Sequence, residues 1–103
     1  MNGKDMGGRT LHIVLGAGPA ALDRCLRCCA AGDTILFMDG GVGHLMTLES
    51  VDSIPGGVTT AYSGPDLRAR GLEELARSRG VMVLDDSDLP ALLLRNTHCL
   101  SWK

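Results

Sequence analysis

The sequence predicts an α/β fold: one small domain with a mostly parallel sheet of four or five strands and helices on both faces. Three observations carry this expectation. Short apolar runs rich in β-branched residues recur along the chain and alternate with segments of helical periodicity. The runs are nearly continuous instead of alternating, as in strands buried on both faces. A length of 103 residues suffices for a single core.

The elements follow in order. Residues 1–9, "MNGKDMGGR", are polar and glycine-rich and read as a mobile lead-in to a domain spanning 10–103. Thr10–Leu15 is apolar, β-branched and stopped by glycine, hence a buried strand. Pro19 suits a first helical turn, where its missing N–H costs nothing. From Pro19 to Ala30, Leu22, Cys25, Leu26 and Cys29 share one face, with Asp23, Arg24 and Arg27 opposite. Thr34–Met38 forms a second strand closed by Asp39-Gly40-Gly41. Val42–Leu48 is a helical candidate loosened by Gly43, and a loop around Ile54-Pro55-Gly56-Gly57 leads to a strand at Val58–Tyr62. A helix starts near Pro65, breaks at Gly71 and resumes to Arg79. Val81–Leu84 is a fourth strand. Ser87 or Asp88 caps a helix carrying Leu89, Leu92 and Leu93, with Pro90 in its tolerant first turn. "HCLSW" adds a short fifth strand.

Composition narrows the function. Hydrophobic residues make up 45 % and charged residues 21 % of the chain, the balance of a globular domain. The formal charge of -2 and the interspersed basic residues argue against direct nucleic-acid binding, which needs clustered Lys and Arg. Phe37, Tyr62 and Trp102 are too few for a base-stacking platform. No apolar run approaches the roughly 20 residues that cross a bilayer, and no export-type apolar region is present. A cytoplasmic location is therefore expected, with the four cysteines as thiols.

Two motifs compete within Leu11–Cys29. Gly16-Ala17-Gly18-Pro19-Ala20-Ala21 fits G-x-G-x-x-A between a strand and a helix. Asp39 follows about 20 residues on, where a ribose-binding carboxylate would sit. That pattern would hold a pyrophosphate on backbone amides. The chain is, however, too short for both halves of a dinucleotide fold, and a plain strand-to-helix turn has the same composition. The second motif is sulfur: Cys25, Cys28 and Cys29. Cys25-Leu26-Arg27-Cys28 is formally C-x-x-C, but it lies two turns into the helix, away from the N-terminal amides that stabilise thiolates. On helical phase Cys29 faces the core, Cys28 the polar side, and Cys25 the edge of the apolar stripe, reachable from a cleft. Arg24 and Arg27 are positioned to stabilise a thiolate or persulfide on Cys25. His12 and His44 are isolated, and His98 and Cys99 lie far along the chain, so a zinc set does not assemble from spacing.

With these residues placed, the chain resembles the TusB/DsrH family of sulfur-relay subunits. The stretches that carry the resemblance are "LHIVLG", "CLRCCAAGDTILFMDGGV", "DLRARGL" and "VMVLDDSDLPALLLRNTHCLSW", from about Leu11 to Trp102. The loop "GAGPAA" and the region between Asp39 and Val58 depart from the family pattern. The resemblance implies a flavodoxin-like (DsrEFH-like) α/β subunit that acts only within a complex. Its implied partners are TusC/DsrF-like and TusD/DsrE-like subunits in a heterohexamer, and a downstream sulfur acceptor. The implied function is transfer of persulfide sulfur between proteins, for tRNA wobble-uridine 2-thiolation or for sulfur oxidation, with no cofactor or metal required. Cys25 falls at the position of the first-helix cysteine of DsrH-like members and becomes the candidate persulfide carrier. Family members without that cysteine serve as structural subunits, which is the alternative role.

Overall fold

A computed structural model describes residues 9–47 and 54–103. Five strands form one parallel sheet: β1 (Thr10–Val14), β2 (Thr34–Phe37), β3 (Thr59–Ser63), β4 (Val83–Leu84) and β5 (His98–Trp102), in the order β4-β3-β2-β1-β5. The helices are α1 (Pro19–Cys28), α2 (His44–Thr47), α3 (Gly64–Ala69), α4 (Glu73–Arg79) and α5 (Leu89–Arg95). This is the layered α/β architecture of flavodoxin-like domains, and the expected fold class holds with five strands.

The topology explains which helix covers which face. From β1 to β4 the sheet grows in one direction; β5 then pairs with the free side of β1, in register Leu11↔Cys99 and Val14↔Trp102. Right-handed crossovers running in opposite directions along a sheet deposit their helices on opposite faces. On one face, Val14, Ile35, Phe37 and Tyr62 pack with Leu22 and Cys25 of α1, Leu45 of α2, Leu67 of α3 and Ala76 of α4. On the other, Leu11, Leu36 and Ala61 meet Leu92 of α5, with Leu89 packed alongside. Alternation along each strand assigns the sides: His12 and Val14 point one way, Leu11 and Ile13 the other.

The core dictates the tightest turn. After β2 the chain enters a 3-10 turn at Asp39–Gly43 before α2, where a Cβ on Gly41 would lie 1.9 Å from the Val14 carbonyl oxygen. Only glycine lets the backbone pass so close to β1.

Strands β1, β2 and β3 differ from the sequence reading by one residue at one or both ends, and other elements differ further. α1 stops at Cys28 because Cys29 is extended (φ -78°, ψ 141°). The helix expected at Val42–Leu48 starts earlier, as the 3-10 turn, and is helical at His44–Thr47; Leu48 lies outside the described residues. β4 is reduced to two residues at the sheet edge, although the Met82 carbonyl still accepts the Tyr62 N–H at 2.9 Å. Asp88 is the N-cap of the last helix, as one of the two expected residues, but its side chain makes no cap bond there. It forms a reciprocal capping box with Asp85 around the 3-10 turn Asp86–Asp88 that precedes the helix. Of the lead-in, residues 1–8 are outside the described residues.

Candidate functional site

β1 and α1 bring a histidine and two thiols together under the sheet. His12 is buried at 1 % exposure and Cys25 at 0 %. The Cys25 and Cys29 sulfurs are 3.9 Å apart, and either can donate to the other. One His12 ring nitrogen and both sulfurs lie within 4.8 Å of one another.

The imidazole is held from both sides. Trp102, on β5, donates its indole N–H to His12 Nδ1 at 3.1 Å. An indole can only donate, so Nδ1 is the unprotonated nitrogen, and Nε2–H donates to Asp33 Oδ2 at 3.0 Å. The indole also stacks on the imidazole, centroids 6.0 Å apart. Asp33, in the turn before β2, accepts two further bonds, from the Thr10 and Ala30 N–H groups at 3.0 Å each. A polar line Trp102–His12–Asp33 thus crosses the floor of the thiol site and ties three remote segments together.

These surroundings set the ionisation. Burial pushes the Cys25 thiol well above its ordinary range, and neighbouring Cys29, Cys28 and Asp33 push it the same way. Burial also raises Cys29, against the contact with Cys25, which lowers it. Asp33 is opposed by its own burial, yet its backbone donors and His12 together hold it below the usual carboxylate value. At neutral pH the pair therefore consists of protonated thiols facing a carboxylate whose donors are all in place. As a metal set it has a physical obstacle: both His12 nitrogens already have partners, so ligation would cost the ring Trp102 or Asp33.

The placement of the thiols departs from the expectation at Cys25, which is expected at a cleft edge and is sealed in the core. Cys29, expected to face the core, packs against it and is half-buried. Cys28 is exposed, as expected, and Cys99 is exposed on β5. Arg24 and Arg27 lie on the exposed side of α1; the Arg24 guanidinium donates to the Lys103 carbonyl at 2.9 Å. His12, Asp33 and Trp102 were not singled out together from the sequence. The one local signal was a histidine in the core-facing register of β1, followed by a Gly-Asp ahead of β2.

The glycine motif takes another role. A Cβ at Gly16 would lie 2.9 Å from the Lys103 backbone, so the close approach that a pyrophosphate needs there is occupied by the chain itself. The Gly16 carbonyl is bonded to buried His44 at 2.8 Å. Asp39, the would-be ribose carboxylate, is paired with Arg70 at 2.8 Å. The loop is a packed connection.

Residues 18–98 match the DsrH family, described as DsrH like protein. The chain belongs to the DsrH family. The match runs from the N-cap of α1 to the first residue of β5 and so takes in Cys25, Cys29 and Asp33. No curated protein matches the sequence. DsrH proteins are sulfur-relay subunits that work with DsrE- and DsrF-like partners. Among the described residues no helix is long and apolar enough to cross a membrane.

Proposed function

We propose that the chain is a subunit of a cytoplasmic sulfurtransferase complex that passes persulfide sulfur between proteins, with Cys25 as the persulfide carrier. The observation that carries this reading is the paired thiol site on α1 in a DsrH-family chain. In the transfer, a cysteine sulfur attacks the outer sulfur of a donor persulfide; a new S–S bond forms and the donor leaves as its thiol. The partners are TusC/DsrF-like and TusD/DsrE-like subunits in a heterohexamer, together with a downstream acceptor. The product serves tRNA wobble-uridine 2-thiolation or sulfur oxidation. The chemistry needs no metal, nucleotide or flavin. Arg24 and Arg27 lie on the exposed side of the same helix, and stabilisation of a thiolate or persulfide by their charge is part of the same proposal.

The test loads the reconstituted complex with a persulfide donor and weighs each subunit intact. This chain gains sulfur and gives it up to the acceptor, and Cys25→Ser loses that turnover. A Cys25→Ser chain that relays sulfur normally removes Cys25 from the path.

A second reading, a structural subunit that holds the complex together, is favoured by a different observation. Leu94 on α5 is 88 % exposed, and Leu93, Met82 and Val83 are also open to solvent. Apolar side chains left uncovered in an isolated subunit are what an assembly buries. The relay assay on co-expressed complex separates the readings: with a purely structural subunit, the Cys25→Ser complex assembles at equal stoichiometry and relays sulfur at the parent rate.

A further inference from the structure

If Cys25 carries sulfur, as proposed above, its location poses a problem of access. Displacement at sulfur needs an in-line approach, and a thiol with 0 % exposure offers none to a persulfide on another protein. The sulfur beside it does. Cys29 is half-buried, and its Sγ is 3.9 Å from that of Cys25. The end of α1 creates this contact: at Cys29 the backbone leaves helical geometry (φ -78°, ψ 141°), so its side chain no longer follows the helix wheel. The gap is also short: at 3.9 Å the two sulfurs are close to van der Waals contact, so a sulfur atom added to Cys29 comes within reach of Cys25 after a modest side-chain rotation.

We propose that Cys29 is the receiving thiol of an internal two-thiol relay, taking sulfur from outside and handing it to the sealed Cys25. In the hand-off, Cys25 Sγ attacks the outer sulfur of the Cys29 persulfide. The bond between that sulfur and Cys29 Sγ breaks, and a bond to Cys25 Sγ forms. The proton leaving the Cys25 thiol goes to Cys29 Sγ, its existing hydrogen-bonding neighbour, so one persulfide and one thiol become one thiol and one persulfide. No oxidant or reductant is consumed. Because the proton moves within the pair, the step does not need a free thiolate in a site where burial disfavours one. Burial then shields the stored sulfur from competing thiols in solution.

The experiment uses the full-length chain with exposed Cys28 and Cys99 changed to serine, treated with limiting inorganic tetrasulfide. Sulfur is located by peptide mass spectrometry over time, and folding is checked by circular dichroism. Sulfur is expected first on Cys29 and then on Cys25. Cys25→Ser stalls it on Cys29, and Cys29→Ser slows loading of Cys25 by about tenfold or more, the loss of an intramolecular step. Folded Cys29→Ser protein that loads Cys25 at the parent rate overturns the relay while leaving Cys25 as carrier. A Cys25–Cys29 disulfide formed with release of hydrosulfide also overturns it. Sulfur that never reaches Cys25, even with all four cysteines present, overturns the carrier reading itself.

Discussion

Asp33 is the residue on which the thiol site rests. Its two oxygens accept from Thr10, Ala30 and His12, and an asparagine would turn an NH₂ group toward at least one of those donors. Asp33→Asn is expected to cost about 1–3 kcal/mol in urea unfolding. The carboxylate also sets an acid limb. Its folded pKa is depressed, so its contribution is complete above the unfolded value of about 3.9 and is lost as pH falls through the lower folded value. Cys25 sets the opposite limb. Its folded pKa is raised, so stability is full below the unfolded thiol value of about 8.5 and declines as pH rises, because only the unfolded chain ionises. Unfolding midpoints from pH 7 to 10 should fall less steeply in Cys25→Ala than in the parent. His12 illustrates what a sequence hides at this scale. Its partners Asp33 and Trp102 stand 21 and 90 residues away, and no local pattern announces a polar line built from three segments.

Among the elements, the strands and long helices were legible because their signals are local: apolar runs, Pro at a first turn, glycine at an end. Cys25 lies three residues beyond Leu22 on a fully helical backbone, so the wheel itself puts it on the buried face, and reading it as the stripe's edge underweighted that spacing. Cys29 is a different case: a helical wheel holds only while the backbone is helical, and α1 ends just before it. The turn at Asp39–Gly43 was blurred by its glycines, whose freedom leaves no periodicity to read. Glycines that look alike in sequence nevertheless differ in what they face. Gly41→Ala puts a methyl group into the Val14 carbonyl and is expected to cost several kcal/mol or to prevent folding. Gly18→Ala meets nothing within 4 Å at an ordinary φ of -70° and should stay within about 0.5 kcal/mol of the parent. Thermal melts of the two variants separate a packed glycine from a permissive one. A nucleotide cradle would show instead as a thermal shift on adding NAD or FAD that a bulkier residue at Gly18 removes.

For the molecule as a whole, the two faces of the sheet are unequally covered. Among the described residues, four helices pack one side and α5 alone the other, leaving a groove of about 400 Å³ bordered by Arg9, Thr59, Leu92, Arg95 and Asn96. Leu94→Lys, on the outer side of α5, should leave the stability of the isolated chain within about 0.5 kcal/mol of the parent. On the structural-subunit reading, the same change lowers recovery of the DsrE- and DsrF-like partners in pull-downs; undiminished recovery would place the contact elsewhere.

The polar line beneath the thiols has one practical consequence. Trp102 is the sole tryptophan of the chain, and its indole is bonded to the imidazole that neighbours both sulfurs. The protein thus carries its own fluorophore at the site. Its emission is expected to respond to any change at the imidazole, so titrating the protein with a persulfide donor while recording tryptophan fluorescence reads the site with no external label.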